Sequence, residues 1–218
     1  MKSNAKYVEL TPALYDYMVR QRSEAADPIL KSLRAETAAL GDVSRMLISE
    51  EQGSFFTLLV RALAIRSAIE IGTFTGYSSI CIARGLPSKG RLVCCDLSKT
   101  WTAIAQKYWK RTGVARKIRL KLAAAEDTLR KLGNQSFDFA FVDADKTNYD
   151  LYYELLLPRL RRNALIIFDN CLWGGKVILA NHPDARALHA LNQKIAKDPR
   201  IEAVLLPISD GLMICRKK

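Results

Sequence analysis

In Glu70-Ile71-Gly72-Thr73-Phe74-Thr75-Gly76-Tyr77-Ser78-Ser79, an apolar segment ends in an acid and two glycines, and an amphipathic segment begins. Residues 68–71 have the length and composition of a buried strand, and the residues from about Tyr77 onward have helical periodicity. Glycine tolerates positive φ and has no Cβ, so Gly72 and Gly76 allow a tight turn and a close approach of a ligand to the backbone. The pattern predicts a strand, a glycine turn and a helix.

The spacing of the two glycines distinguishes this turn from the dinucleotide-binding turn. Gly72 and Gly76 are four residues apart, whereas G-x-G-x-x-G has a further glycine where a pyrophosphate meets the helix N-terminus. A second apolar segment ends in Asp96, which lies 24 residues after Gly72, near the offset of about 20 residues at which an acid binds ribose hydroxyls. The pair predicts an adenosine site without a pyrophosphate cradle. A glycine turn and a strand-end Asp that caps a helix also occur in sheets that bind no ligand.

Length and composition indicate one soluble α/β domain. The chain has 218 residues, of which 49% are hydrophobic and 26% charged. We expect a single domain over residues 1–218, with a helical extension at 1–66 and a core at 67–218. The longest apolar run, residues 164–168, is far shorter than the ~20 residues that cross a bilayer, and the N-terminus lacks the apolar core of a signal peptide. These features predict a cytoplasmic protein with no membrane partner.

Cysteine, histidine and charge content argue against several kinds of site. The five cysteines have no metal-ligand spacing and are predicted to be reduced, buried thiols. With only His182 and His189, a zinc centre or a Ser-His-Asp triad has few residues to use. The net charge of +12 would attract anions, including nucleic acid, but the basic residues are scattered as on solvated faces. We therefore do not expect nucleic acid as a partner.

The order of the predicted elements indicates the fold class. Residues 11–64 are predicted to be helical; Thr11 and Asp27 each precede a proline, as at helix N-termini, and Ser49-Glu50-Glu51-Gln52 has the form of a capping box. Apolar strands then alternate with helices, at 68–71, 92–95, 118–122, 137–142, 165–168, 201–206 and 211–215, with a helix at 185–196. The turn between the last two strands is too short for a crossover. The sequence therefore predicts a seven-stranded, mostly parallel α/β sheet with helices on both faces and its last strand antiparallel, preceded by a helical extension.

Acidic and amide side chains follow two of these strands. Asp143-Ala144-Asp145-Lys146 comes after residues 139–142, and Asp169-Asn170 comes after residues 165–168. Both groups belong to the carboxyl edge of the sheet, where α/β folds bind ligands. Carboxylates gathered there repel one another unless a cation lies between them, and oxygen ligands without His or Cys favour magnesium, calcium or manganese. The edge is predicted to bind a divalent cation.

Four segments in order resemble one family. They are the Glu70–Ser78 turn, Val142-Asp143-Ala144-Asp145-Lys146, Phe168-Asp169-Asn170-Cys171-Leu172-Trp173 and Leu206-Pro207-Ile208-Ser209-Asp210-Gly211. Together they resemble the cation-dependent class I S-adenosylmethionine O-methyltransferases of the caffeoyl-CoA and catechol type, over about residues 6–216. The resemblance implies a Rossmann-like fold, S-adenosylmethionine as cofactor, a divalent cation, most simply Mg²⁺ with Mn²⁺ or Ca²⁺ as alternatives, and a homodimer.

The resemblance also implies roles for individual residues. The residues implied to bind the cofactor are Ile48, Glu70, Gly72, Thr73, Ser78, Asp96, Ala125, Asp145 and Tyr152, with Met46 in the same covering segment as Ile48. The implied metal ligands are Asp143, Asp169 and Asn170, and Met46, Trp173 and Lys6 are the candidates on the acceptor side. Lys146, with Asp143, is the candidate catalytic residue that takes the acceptor proton; alternatively, Lys146 only neutralises the acids. Phe55, Phe56 and Leu59 are either core or a dimer face, and the family's usual homodimer favours the dimer face.

Two departures leave the acceptor open. Gly174 stands where plant members place an acceptor-contacting Asn, and the segment from Gly175 to Pro183 is shorter than the plant insertion. Small catechols or other phenolics with vicinal hydroxyls are favoured over a strict CoA-ester preference, although the positive charge keeps a CoA thioester among the candidates. The other classes considered are a nucleic-acid methyltransferase, opposed by the absence of Pro-Pro after the fourth strand, a nicotinamide oxidoreductase, opposed by the missing glycine, and a non-catalytic binding module.

Overall fold

A single sheet of seven strands organises the structure, a computed structural model that describes residues 8–133 and 135–218. The strands are β1 (Ser67–Ile71), β2 (Arg91–Asp96), β3 (Ile118–Leu122), β4 (Phe137–Val142), β5 (Leu160–Phe168), β6 (Ile201–Leu206) and β7 (Leu212–Lys217). Their order is β3-β2-β1-β4-β5-β7-β6, parallel from β3 to β5, with β7 antiparallel to β5 and β6. The prediction of a mostly parallel sheet with an antiparallel last strand is confirmed.

Eight α-helices accompany the sheet in the part of the chain that the structure describes. They are α1 (Pro12–Arg20), α2 (Pro28–Ala38), α3 (Glu50–Ala62), α4 (Tyr77–Gly85), α5 (Lys99–Arg111), α6 (Ala125–Lys131), α7 (Tyr149–Leu156) and α8 (Pro183–Lys197). The caps predicted at Thr11 and Asp27 are confirmed, since each side chain accepts a backbone N–H of the first turn. The prediction of a capping box at Ser49 is wrong, because the Ser49 hydroxyl donates to Glu51 Oε1 at 2.6 Å and caps no backbone group.

Strand residues alternate between two apolar cores, one on each face of the sheet. On one face Ile69, Ala140 and Val142 pack against α7 and α8. On the other, Ala68, Phe139 and Phe141 pack against helices that include α3 and α4. Because successive side chains of a strand point to opposite faces, this alternation requires apolar residues at nearly every position of β1 and β4. The helices on both faces match the predicted layers.

Some sequence interpretations need correction. β5 begins at Leu160, before the predicted strand at 165–168. Arg161 and Arg162 therefore lie within the strand, and both are exposed near its amino end. Phe56 is not on a dimer face, because it is fully buried and packs edge-on against Phe141 at a ring distance of 4.6 Å. All five cysteines are buried free thiols, as predicted. Within the described residues, no helix is both long enough and apolar enough to cross a membrane.

Candidate active site

A cavity of about 930 Å³ opens at the carboxyl edge of the sheet, where the order of the strands reverses between β1 and β4. Parallel α/β sheets bind ligands at this kind of position. The predicted site residues that line the cavity are Met46, Ile48, Gly72, Thr73, Ser78, Asp96, Ala125, Asp143, Asp145, Lys146, Tyr152, Asp169, Asn170 and Trp173. The fold therefore brings to one space side chains from seven separate parts of the chain. Lys6 lies outside the described residues.

The glycine turn is shaped by the packing of the protein against itself. Gly72 and Gly76 both have positive φ, 87° and 89°. A Cβ on Gly72 would lie 1.9 Å from the Asp143 carbonyl oxygen, and one on Gly76 would lie 2.7 Å from the Ala105 Cβ. The Asp143 backbone therefore requires a glycine at position 72, and α5 requires one at position 76; Gly72 also lines the cavity.

Asp96 closes the glycine turn from the end of β2. One carboxylate oxygen accepts the backbone N–H groups of Thr73 and Phe74 at 2.9 and 2.8 Å. The other accepts the N–H of Ser98 at 2.7 Å. A carboxylate has about four lone-pair sites, so these three bonds leave room for a further donor such as a ribose hydroxyl. Asp96 lines the cavity and also fixes the turn beside it.

Glu70 is buried beneath the turn. Its side chain has no exposed surface, it does not line the cavity, and neither carboxylate oxygen has a hydrogen-bond partner among the described residues. Burial raises its pKa to about 8, while the nearby Ser78, Cys94 and Thr73 side chains oppose that rise. This geometry does not support the direct contact with the cofactor predicted for Glu70.

Asp143, Asp169 and Asn170 extend the ends of β4 and β5. The Asp143 N–H donates to the Ile71 carbonyl at 2.8 Å, and the Asp169 N–H donates to the Val142 carbonyl at 3.0 Å, so the sheet ladder continues into the site. Neighbouring strands are about 4.8 Å apart, which places the two acids side by side. Asp169 is buried, and burial followed by repulsion from Asp143 raises its pKa above the usual range.

The two oxygens of Asp169 are held by neutral donors. Oδ1 accepts the Asn170 N–H at 2.7 Å, and Oδ2 accepts the Gln52 side-chain amide at 2.7 Å. The one cation in contact with this acidic pair, among the residues described, is Lys146 on Asp143. Two adjacent carboxylates and an amide, all oxygen donors, suit a hard divalent cation. No group of three or more His, Cys, Asp or Glu side chains in the described ranges could hold a metal, so Asn170 would have to supply the third protein ligand.

Lys146 is held in place on both sides. Its Nζ donates to Asp143 Oδ1 at 2.8 Å and to the Tyr149 hydroxyl at 2.7 Å, and it lies 5.9 Å from the centre of the Trp173 ring. The Tyr149 hydroxyl in turn donates to the Val142 carbonyl at 3.2 Å. An ammonium group has three donors, so one remains to face the cavity that Lys146 lines.

The other predicted residues divide into two ends of the cavity. Tyr152 donates to Asp145 Oδ1 at 2.7 Å, which pairs the two side chains implied for the methionine end. Ile48 is buried and its carbonyl accepts Arg34 at 3.3 Å, so this backbone group already has a partner. Met46 and Trp173 line the rim, with Met46 40% exposed.

The structure adds residues that the sequence analysis did not assign. Gln52 on α3 is fully buried, lines the cavity and bonds Asp169. The sequence signal for Gln52 was a polar residue on a face of α3 whose other residues, Phe56 and Val60, are apolar and buried.

Other added residues lie near the glycine turn and the Trp173 loop. Phe74 and Trp101 meet edge-on beside Asp96, with 5.1 Å between their ring centres. Asp210, in the last of the four segments that carry the resemblance, accepts the Gly174 N–H at 2.6 Å and so fixes the loop that carries Trp173.

Comparisons with known proteins place this geometry in a family. A family model described as O-methyltransferase matches residues 20–218. "Probable caffeoyl-CoA O-methyltransferase 2" of Dictyostelium discoideum is 40% identical over 96% of this chain and 94% of its own length. Caffeoyl-CoA O-methyltransferase 2 of Petunia hybrida is 34% identical, with 94% and 90% covered. Neither name refers to a nucleic acid.

Solved structures agree with the sequence relatives. The crystal structure of an O-methyltransferase from Bacillus cereus in complex with SAH superposes with a TM-score of 0.87, at 32% identity, and the match covers 94% of this chain and 97% of that one. The chain therefore belongs to the O-methyltransferase family and is an S-adenosylmethionine-dependent O-methyltransferase.

Proposed function

We propose that the protein transfers the methyl group of S-adenosylmethionine to a hydroxyl of a catechol-like phenolic, with a divalent cation at the strand ends. The observation that carries the proposal is the joining of Asp143, Asp169 and Asn170 at one edge of a cavity that also contains the glycine turn. Such an edge would suit a small catechol, or a hydroxycinnamate, its CoA ester or a flavonoid that carries two hydroxyls on adjacent ring carbons. Mg²⁺ is the first candidate for the cation, with Mn²⁺ and Ca²⁺ as alternatives.

The methyl donor fits the end of the cavity that lies between β1 and β2. We place its ribose at the free acceptor positions of Asp96, its adenine beside Ala125, and its methionine end near Asp145 and Tyr152. Gly72, Thr73 and Ser78 form the adjacent wall, and Ile48 covers it. Glu70 supports this wall from below. Edge-on contact between Phe74 and Trp101 adds an aromatic surface next to the ribose position.

The residues of the cation site would act on the acceptor hydroxyl. A phenol ionises near pH 10, so only about one part in a thousand is phenolate at pH 7. Asp143, Asp169 and Asn170 would hold the cation, which when bound favours the phenolate form of a coordinated hydroxyl. Lys146, fixed by Asp143 and Tyr149, would receive the proton as the neutral amine, or as the ammonium it would balance the charge of the acids. Attack of the phenolate oxygen on the methyl carbon would break the bond from methyl to sulfur and release S-adenosylhomocysteine, so the transfer needs no covalent intermediate with the protein. Positioning of the two reactants would supply most of the acceleration.

The rim of the cavity bears on the choice of acceptor. Trp173 and Met46 offer apolar surface to a phenolic ring, and the exposed Arg45 and Lys176 add positive charge at the same opening. A carboxylate or a CoA phosphate on the acceptor would meet that charge favourably. Lys6 remains a candidate on this side from the sequence resemblance.

We also propose a homodimer in the cytoplasm. Leu58 and Leu63 on and just beyond α3 are 66% and 50% exposed, which is apolar surface that a second copy could cover. The five free thiols suit a reducing compartment. Light scattering in solution would give the mass that tests the dimer.

Replacing a cation ligand should separate methyl transfer from binding of the donor. Asp169→Ala removes a buried carboxylate from the edge of the sheet. It changes none of the side chains that we propose bind S-adenosylmethionine. We expect transfer to a catechol to fall by at least about 100-fold, while the Kd for S-adenosylmethionine, measured by calorimetry, changes little. Chelation with EDTA should likewise stop transfer, and added Mg²⁺ should restore it.

Asp138 provides a matched control for this substitution. It is an acid in the same strand, β4, but it accepts backbone N–H groups of Arg66 and Ser67 at the opposite end of the sheet. Asp138→Ala should alter stability without changing the ratio of transfer to donor binding. Full activity in EDTA, or parallel losses of transfer and donor binding in Asp169→Ala, would contradict the proposed roles.

A further inference from the structure

One side chain of helix α3, Gln52, extends to the edge of the sheet where Asp143, Asp169 and Asn170 lie. We propose that Gln52 is a positioning residue that orients the Asp169 carboxylate for a divalent cation. This inference rests on the proposed function, since it gives Asp169 a cation to hold. It assigns a role in the site to α3, which lies in the helical segment that precedes the sheet.

The contact between Gln52 and Asp169 has the geometry of a strong, buried hydrogen bond. Nε2 of Gln52 donates to Oδ2 of Asp169 at 2.7 Å, and both residues are nearly inaccessible, with exposures of 0% and 2%. The opposite oxygen, Oδ1, accepts the Asn170 N–H at 2.7 Å. Donors on both oxygens fix the plane of the carboxylate, and each oxygen keeps a second lone-pair site for a cation.

The position of Gln52 next to Asp169 calls for an uncharged hydrogen-bond donor. A lysine or arginine in the place of Gln52 would neutralise Asp169 and compete with a metal ion for its charge. An amide satisfies the buried oxygen and leaves the charge in place. The amide oxygen of Gln52 is itself buried and has no hydrogen-bond partner among the described residues, although Gln52 lines the cavity. A donor on a bound ligand, such as a metal-bound water, would satisfy it.

The backbone of α3 is held firmly enough to position a side chain. A Cβ on Gly53, the next residue, would lie 2.7 Å from the Tyr77 ring, so α3 and α4 are in close contact there. Gln52 therefore extends from a helix that cannot slide along α4 without a clash, and preorganised support of this kind is what ligand geometry depends on.

The test compares two substitutions that each remove a buried hydrogen bond from α3. Gln52→Met keeps the length of the side chain and removes its donor. Thr57→Val keeps the shape of Thr57 and removes the hydroxyl that donates to the Cys81 carbonyl of α4 at 3.1 Å and to the Gly53 carbonyl of α3 at 3.3 Å. Thr57 does not line the cavity, so this variant serves as the matched control. Titration of Mn²⁺ followed by electron paramagnetic resonance, and of Mg²⁺ by calorimetry, gives the Kd of the cation without reference to turnover.

We expect Gln52→Met to weaken cation binding by about 10- to 100-fold and Thr57→Val to leave it unchanged. At saturating cation Gln52→Met should recover most of its kcat, so the defect should lie in the cation concentration for half-maximal activity. Gln52→Asn, whose amide is one methylene shorter, should also bind the cation more weakly and serves if the Met variant does not fold.

The outcomes separate this inference from the proposed function. If the wild-type protein binds the cation and Gln52→Met binds it as tightly, the positioning role is wrong and the proposed function stands. Equal weakening in Thr57→Val would mean that loosening α3 is the cause, which also overturns the role. If the wild-type protein binds no divalent cation, the cation-dependent part of the proposed function fails and the inference fails with it.

Discussion

Glu70 makes the stability of the protein depend on pH, because it is a buried carboxyl group for which residues 8–133 and 135–218 provide no hydrogen-bond partner. Its pKa is about 8 in the folded protein, against an ordinary value of 4.5. Between these values the folded protein keeps the proton and the unfolded chain loses it, so the free energy of unfolding falls as pH rises from about 4.5 to about 8. Glu70→Gln cannot ionise. We expect it to gain stability relative to wild type by up to about 5 kcal/mol between pH 5 and pH 9.

Urea denaturation at several pH values between 5 and 9, without donor or metal, measures this difference. A constant offset between the two proteins is allowed, because a buried amide has hydrogen-bonding needs of its own; the slope with pH is the test. Glu202→Gln provides the control, since that carboxylate is largely exposed. Parallel curves for Glu70→Gln and wild type would show that Glu70 is ionised in the folded protein.

Residues at strand ends were the part of the site that the sequence could predict. Asp143, Asp169 and Asn170 follow apolar strands directly, and the ends of parallel strands must share an edge, so their meeting follows from local pattern. Glu70 precedes the strand end by one residue, and its side chain is fully buried near Ser78, Cys94 and Thr73 and does not line the cavity. Gln52 could not be assigned, because its bond to Asp169 joins residues 117 positions apart and depends on how α3 packs.

At the scale of single elements, the cap of α2 should matter more than the cap of α1. Asp27 accepts the N–H groups of Ile29 and Leu30 at 2.8 and 2.9 Å, and its other oxygen pairs with Arg84 of α4 at 2.7 Å. Thr11 accepts one N–H at 3.3 Å in an exposed helix without buried residues. We expect Asp27→Ala to lower the free energy of unfolding by about 1–2 kcal/mol, and Thr11→Ala by less than about 0.5 kcal/mol.

Guanidinium denaturation of the two variants gives the comparison, with Thr11→Ala as the matched control because both residues precede a proline. Equal losses would mean that the Arg84 pair and the buried face of α2 contribute nothing beyond the cap itself. Both caps were predictable, because the motif is local and its partners lie within three residues. The absence of the predicted capping box at Ser49 could not be read from the motif. The Ser49 hydroxyl donates to Glu51 instead, and the motif does not encode this competing bond.

At the scale of the whole molecule, the helices before β1 and the sheet meet in the site. The sequence indicated the boundary near residue 67, because the apolar period changes there from helical to strand-like. It did not indicate that the two parts share a cavity, to which the helical part contributes Met46, Ile48 and Gln52. That sharing follows from α3 packing against β4, where Phe56 contacts the rings of Phe139 and Phe141, a long-range arrangement with no local signature.

This shared site predicts that binding at the sheet edge stabilises a helix that supplies no proposed cation ligand. If Gln52 links α3 to Asp169, a bound cation adds to the free energy needed to open α3 locally, and amide hydrogen exchange should slow there. We expect Mg²⁺ to slow exchange in the Gln52 half of α3 in wild type and much less in Gln52→Met at equal occupancy. The edge strand β6 serves as the internal reference, because it lies at the far side of the sheet. Slowing of equal size in α3 and β6 would indicate general stabilisation of the protein and contradict a specific link through Gln52.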